Sequence, residues 1–136
     1  INIELERNIF NNFDRLIKKN YKNTKFILIP DIPVSSLTLS DCVKNIKIPN
    51  DYSNECKFDI SNFINERLSI DNIYKKLILN NKNVFIFDFV DYNCKNNLCN
   101  FFYEPYKPIY SRKNHFSIEY STYMSSYFFK LVNKIK

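Results

Sequence analysis

The chain has 136 residues, which suffice for one domain with one core and are too few for two domains of ordinary size. Hydrophobic residues make up 45% of the chain and aromatic residues 17%, which argues for a folded globular protein and against a disordered one. The formal net charge of +6 favours anionic partners, although the lysines are scattered singly or in pairs, as on solvated helix faces. No apolar run reaches the roughly 18 residues that a membrane span requires. Residues 1–7 do not resemble a signal peptide, so any membrane segment or export signal is expected upstream.

The first 57 residues predict a helix, a strand and a long loop. From residue 3 to about residue 20, apolar side chains recur every three or four positions, which indicates one face of an amphipathic helix. The apolar run of residues 25–30 is typical of a buried strand that enters a loop. Residues 31–57 are predicted to be loop, and loops of that length are uncommon unless they are functional or pinned.

The rest of the chain predicts two more helices and a second strand. A helical pattern starts near residue 59, with a break predicted near Ser69. The β-branched and aromatic run of residues 83–90 indicates a buried strand. Residues 91–116 are predicted to be loop with short strands around 101–103 and 109–110. The last helix is predicted to start at Ser117, because serine is a good N-cap residue.

The order of these elements predicts an α/β protein in which helices layer around a parallel sheet. Two strands do not complete such a sheet. We therefore expect further strands from an N-terminal part of the protein or from another chain.

Four cysteines fall into two local pairs, Cys42 with Cys56 and Cys94 with Cys99. An even number in loop segments predicts two disulfides and hence an oxidising compartment. Zinc binding is the alternative, but structural zinc sites use closer pairs such as Cys-x-x-Cys. Free core thiols are the third option.

The chain contains a single histidine, His115, and no glycine. Histidine is the side chain that titrates near neutral pH, so His115 is the first candidate for acid–base chemistry. The alternative is a structural or surface histidine beside a helix start. Tight turns, phosphate loops and nucleophile elbows normally need glycine, so part of any catalytic machinery is expected outside this chain.

The order of strand, cysteine loop, Tyr-x-x-x-x-His-x-Ser and amphipathic helix resembles a known family. Residues 26–33 with Cys42, residues 85–99, and the blocks Pro108-Ile-Tyr110 and Asn114-His-Phe-Ser117 are similar to the C-terminal end of the SGNH hydrolase-like domain of bacterial membrane acyltransferases, which include O-antigen O-acetyltransferases. The resemblance implies a three-layer α/β/α, flavodoxin-like SGNH domain, of which residues 1–136 are the C-terminal portion with no second domain.

The resemblance also implies a Ser-His mechanism of acyl transfer. The family's nucleophile is a serine in a Gly-Asp-Ser block, which this chain lacks, so His115 is the only catalytic residue predicted here. No cofactor or metal is expected. The family has an aspartate three residues before the histidine, whereas Arg112 stands there in this chain. A cation in that place disfavours the imidazolium, so orientation by a backbone carbonyl, a carboxylate from Asp91 or Glu104, or loss of catalysis are the alternatives.

Three functions follow from these observations. The first is an extracytoplasmic acyltransferase or esterase that acts on cell-surface carbohydrate such as lipopolysaccharide. It implies an acyl donor, an upstream transmembrane acyltransferase domain, and a position at the periplasmic or extracellular face of a bacterial membrane. The second is a degenerate SGNH-like module that binds glycan or a protein partner, its basic, tyrosine-rich surface holding anionic sugar. The third, a cytoplasmic nucleic-acid binder, lacks a recognised motif, and no nucleic acid partner is expected.

Overall fold

The structure is a computed structural model that describes residues 3–20, 23–35, 38–44, 56–112 and 115–135. Its helices are α1 (Ile3–Asn20), α2 (Leu39–Lys44), α3 (Ser61–Asn80), α4 (Val90–Asn93) and α5 (Ile118–Ile135). Its strands are β1 (Phe26–Leu28), β2 (Lys57–Asp59), β3 (Val84–Ile86), β4 (Cys94–Lys95), β5 (Leu98–Asn100), β6 (Phe102–Glu104), β7 (Lys107–Pro108), β8 (Tyr110–Arg112) and β9 (His115–Phe116). The chain divides into two compact units, unit 1 (Ile1–Pro30 and Ile64–Asp88) and unit 2 (Asp31–Phe63 and Phe89–Lys136).

Unit 1 packs helices α1 and α3 with a pair of parallel strands. Strand β1 pairs with β3 in the register Phe26 to Val84, which agrees with the predicted parallel pairing. The core is formed by Ile17 of α1, by Ile73 and Leu77 of α3 and by Val84. The three helical residues come from the apolar positions that recur every three or four residues along α1 and α3, so periodicity and packing agree. The helix predicted from residue 3 to about residue 20 is confirmed. The strands predicted at 25–30 and 83–90 are present but shorter, as Phe26–Leu28 and Val84–Ile86, and Val90 begins a helix instead.

The break predicted near Ser69 is wrong, because α3 runs without interruption from Ser61 to Asn80. Arg67 Nε donates to both carboxylate oxygens of Asp71 at 3.0 and 2.9 Å, and this i to i+4 pair spans Ser69. The apolar face also continues beyond it, since Ile70 packs on the core that contains Ile73. Serine has only a modest helix penalty, which these interactions override.

Unit 2 is built from small antiparallel sheets and helix α5. Strands β2, β5 and β4 form a three-stranded sheet in that order, while β6 with β7 and β8 with β9 form two hairpins. Phe58, Phe101 and Tyr110 meet in the core, with ring centroids 4.9 Å apart for Phe58–Phe101 and 5.9 Å for Phe58–Tyr110. The predicted short strands within residues 91–116 are therefore present, and further ones accompany them.

The predicted long loop contains a short helix, α2, which the periodicity did not indicate. Its first turn is held by a reciprocal capping box: Asp41 N donates to Thr38 Oγ1 at 3.1 Å, and Thr38 N donates to Asp41 Oδ2 at 3.2 Å. A hydrogen bond from the Thr38 hydroxyl to Asp41 Oδ2 at 2.6 Å, and then the bond from Thr38 N, lower the pKa of the Asp41 carboxyl. The loop prediction for residues 45–55 lies outside the described residues.

The structure thus has the mixed α/β character that was predicted. Two expectations stay predictions: that the protein has a three-layer SGNH domain, and that residues 1–136 are the C-terminal portion of that domain. Within the described residues, the helices are too short or too polar to cross a membrane.

Candidate functional site

His115 lies on the short strand β9, immediately before the helix α5. Its residue is exposed, and its Cα partner across the hairpin is Arg112 of β8. The Ser111 hydroxyl donates to the carbonyl oxygens of His115 and Phe116, both at 3.3 Å. The next side chain, Phe116, packs 5.0 Å from the ring of Tyr120. The hairpin therefore fixes the backbone of His115 while its side chain faces solvent.

The two carboxylates considered as orienting acids are also exposed. Glu104 forms an ion pair with Lys107, with 2.6 Å between Oε2 and Nζ, and Asp91 lies in the first turn of α4. In the part of the chain that the structure describes, neither carboxylate is hydrogen-bonded to the imidazole of His115. The roles considered for Asp91, Glu104 and Arg112 at this histidine, and its assignment as catalytic base, stay predictions.

Ser117 anchors the element that follows the histidine. Tyr120 N donates to Ser117 Oγ at 3.1 Å, which is the N-cap bond predicted from the sequence. The same hydroxyl donates to the carbonyl oxygen of Pro108 at 2.6 Å. Ser117 therefore ties the start of α5 to the strand that precedes the hairpin.

Both predicted disulfides are present, Cys42–Cys56 and Cys94–Cys99. They join positions that are 14 and 5 residues apart in sequence, and both lie in unit 2. The cysteines are consequently not available as thiolate ligands for zinc. Two disulfides are consistent with an oxidising, non-cytoplasmic compartment.

A second feature of unit 2 is a row of four tyrosines, which the sequence did not single out. We define the tyrosine row as Tyr92, Tyr127, Tyr123 and Tyr103. Successive ring centroids lie 5.3, 5.3 and 4.8 Å apart, and the Tyr123 and Tyr127 hydroxyl oxygens lie 2.9 Å apart. Tyr92 is 45% and Tyr123 37% exposed, and the other two are half-buried. The row therefore presents aromatic surface and phenol groups to solvent.

A buried tyrosine packs against the tyrosine row, and a lysine lies over one of its rings. Tyr120 is fully buried, its ring lies 5.3 Å from that of Tyr103, and its hydroxyl donates to Asn93 Oδ1 at 2.5 Å. Burial raises the pKa of Tyr120, against the opposing effect of the bond to Asn93. The hydrogen bond with Tyr127 raises the pKa of Tyr123, so these phenols stay protonated at neutral pH. The Lys130 ammonium lies 5.1 Å from the centroid of Tyr127, a cation–π distance.

The sequence contained only part of the signal for this row. Tyr120, Tyr123 and Tyr127 recur at the spacing of one helix face, and their rings contact one another along α5. Tyr92 and Tyr103 join them only through the folding of α4 and β6, which periodicity does not reveal.

Comparisons with models of protein families, with curated protein sequences and with solved structures find no match to this chain. The resemblance to the SGNH domain of membrane acyltransferases therefore stays a prediction that rests on the residues named above.

Proposed function

We propose that this chain is an extracytoplasmic module that binds carbohydrate along the tyrosine row. The observation that carries the proposal is the row itself, four adjoining rings that leave aromatic faces and hydroxyl groups at the surface of unit 2. A pyranose ring has apolar C–H faces and polar hydroxyl edges. Tyrosine matches both, because its ring buries apolar area and its hydroxyl exchanges hydrogen bonds.

The setting of the row supports binding by a prearranged surface. The Tyr120–Asn93 hydrogen bond and the hydroxyl contact between Tyr123 and Tyr127 already restrict these rings before a ligand binds. Less side-chain rotamer freedom is therefore lost on binding. The two disulfides of the same unit fit a protein that works outside the cytoplasm. In this proposal the chain is a degenerate SGNH-like module at the periplasmic or extracellular face of a bacterial membrane.

Binding of the chain to a panel of bacterial polysaccharides by affinity electrophoresis tests this function. We expect Tyr123→Ala to weaken binding at least tenfold, because it removes the ring that contacts both Tyr103 and Tyr127. Phe129→Ala is the matched control, since Phe129 is a 61% exposed aromatic residue of the same helix outside the row. Equal losses in the two variants, or no binding to any polysaccharide, would contradict the proposal.

A second candidate function is acyl transfer with His115 as the general base. The observation that favours it is the exposed histidine on a hairpin that leads directly into the capped helix α5, and the resemblance implies a catalytic histidine just before this helix. In that mechanism His115 takes the proton of a serine outside this chain, and the serine oxygen attacks the carbonyl carbon of the acyl donor. The donor's leaving group departs with a proton, and a sugar hydroxyl or water then takes the acyl group from the serine.

An assay of p-nitrophenyl acetate hydrolysis by the full-length gene product tests this second function. Activity that His115→Ala abolishes and Ser126→Ala retains would support acyl transfer. A folded protein with no hydrolysis, or with equal hydrolysis in the His115→Ala variant, would overturn it and leave the binding function standing.

A further inference from the structure

A cavity of about 340 Å³ lies in unit 2 at the Tyr92 end of the tyrosine row. Its walls include Lys57 of β2, Lys95 of β4, Tyr92 and Asn96. Its volume falls in the range of roughly 300–1,000 Å³ that is usual for small-molecule sites. Among the described residues, two lysines and no acidic residue line it, which makes the cavity electropositive.

The pairing of the three-stranded sheet explains why both lysines reach the same cavity. Lys57 is the Cα partner of Asn100 on one side of β5, and Lys95 is the partner of Leu98 on the other. Directly opposed residues, and residues two apart along a strand, point to the same face of a sheet. The opposite face carries Phe58 and Cys99, which are buried. The lysines therefore flank a central strand on its outer face.

The two lysines of the cavity keep their positive charge without a direct ion-pair partner in the described part of the chain. Among the described residues, the ion pairs involve neither Lys57 nor Lys95. Asp59 shares their face of the sheet and stays ionised, because the hydrogen bonds from Ser61 lower the pKa of its carboxyl, but Asp59 does not line the cavity. Two ammonium groups on one small cavity whose described lining contains no carboxylate favour an anionic ligand.

The walls of the cavity are fixed by covalent and local bonds. The Cys94–Cys99 disulfide joins directly opposed residues of β4 and β5. Asn96 and Asn97 form the turn between these strands at φ of 53° and 62°, a left-handed conformation that asparagine tolerates. Asn93 Nδ2 donates to the carbonyl oxygen of Phe89 at 3.0 Å, which holds the α4 wall. Such preorganisation lowers the entropy cost of binding.

From this geometry we infer that the cavity binds the carboxylate-bearing edge of an acidic sugar, and this inference rests on the proposed carbohydrate-binding function. Tyr92 belongs both to the cavity and to the tyrosine row. A pyranose stacked on Tyr92 directs one edge toward Lys57 and Lys95, and Asn96 and Asn100 offer amide groups for its hydroxyls. The row supplies ring stacking and the cavity supplies selection for negative charge.

Calorimetry with a galacturonic acid oligosaccharide and its methyl ester tests the inference, because esterification removes the charge and keeps the sugar. We expect the parent chain to bind the free acid at least tenfold more tightly than the ester. Lys57→Gln with Lys95→Gln should reduce the affinity for the acid at least tenfold, to about that of the parent chain for the ester. The control Lys75→Gln with Lys76→Gln removes the same charge from exposed residues of α3 and should have no effect.

Equal affinity for acid and ester, with the Tyr123→Ala loss retained, would overturn the inference and leave the proposed function intact. Equal weakening by the Lys75/Lys76 control would show unspecific attraction to a basic chain and would also overturn it. A sulfated oligosaccharide that binds more tightly than the uronic acid would contradict a carboxylate site. Absence of binding to any of these sugars would refute the inference together with the proposed function.

Discussion

Arg67 of unit 1 carries a largely buried positive charge. Its side chain is 12% exposed and forms ion pairs with Asp88, 9% exposed, and Asp71, 19% exposed. Burial by itself lowers the pKa of the guanidinium, but the hydrogen bonds to Asp88 and then Asp71 outweigh that effect and raise it. Arginine suits this place, because its planar fork reaches two carboxylates at once and lysine is a single point charge.

Replacement of this arginine should destabilise the protein strongly. We expect Arg67→Met to lower the free energy of unfolding by about 3 kcal/mol, because it leaves the carboxylate of Asp88 buried without its cation. Urea denaturation monitored by circular dichroism measures the change. Arg15→Met, which removes an exposed arginine of α1, should alter stability by less than about 0.5 kcal/mol. Similar losses in both variants would show that the ion pairs with Asp71 and Asp88 contribute little.

Asp14 should make stability depend on pH. Hydrogen bonds from Lys18 and then Asn81 lower the pKa of its carboxyl below the ordinary 3.8. The unfolded chain therefore takes up the Asp14 proton at a higher pH than the folded chain does. The stability that this residue contributes is present above about pH 5 and is lost as the pH falls through 4 toward the lowered pKa.

Unfolding free energies between pH 6 and pH 3 test this expectation. Asp14→Asn should show a smaller loss over this range than the parent chain, because the amide does not titrate. Glu66→Gln removes an exposed carboxylate of the same unit and should retain the parent's pH profile. An Asp14→Asn profile with the parent's slope would refute the assignment.

At the scale of elements, the cap of α5 offers a direct test. Ser117 is 4% exposed, and its hydroxyl both accepts the bond from Tyr120 N and donates to the Pro108 carbonyl. Ser117→Ala should cost about 1–2 kcal/mol, because it removes the N-cap acceptor of the helix. Ser126→Ala removes an exposed hydroxyl that donates within the same helix and should be close to neutral. Thermal unfolding of the two variants distinguishes the cap from a general effect of removing serine.

Elements that depend on local sequence were predictable, and elements that depend on distant pairing were not. Helices α1 and α5, the N-cap and the two strands of unit 1 follow from periodicity and residue type within short windows. The capping box of Thr38 and Asp41 is also formed by residues that are close in sequence. The helix that it starts has only six residues, too few for hydrophobic periodicity to predict it. The break predicted at Ser69 is wrong because the Arg67–Asp71 ion pair and the apolar face of α3 both continue across this position.

The candidate sites show the same limit. His115 was identifiable from its chemistry alone, whereas its place on a hairpin depends on the pairing of β8 with β9. The cavity requires Lys57 and Lys95 to meet across a strand that begins at residue 98, and the tyrosine row requires Tyr92 and Tyr103 to meet α5. Such contacts are set by the tertiary fold, which the spacing of residues in one segment does not encode.

At the scale of the whole molecule, the disulfides tie the stability of unit 2 to its compartment. The Cys42–Cys56 bond closes a loop with a sequence separation of 14, and Cys94–Cys99 one with a separation of 5. Because the entropy removed from the unfolded chain grows with loop length, we expect about 3 kcal/mol from the first bond and about 2 kcal/mol from the second. A reducing cytoplasm would withdraw both contributions.

The paired variants Cys42→Ser with Cys56→Ser and Cys94→Ser with Cys99→Ser separate stability from function. The first pair should cause the larger drop in the free energy of unfolding, measured by urea denaturation of the oxidised protein. The second pair should cost less stability but weaken binding of the galacturonic acid oligosaccharide more, because Cys94 and Cys99 join the strands that carry the cavity. If both pairs changed binding only in proportion to the loss of stability, the Cys94–Cys99 bond would contribute to the stability of unit 2 alone. It would then have no specific role in holding Lys95 beside the central strand β5.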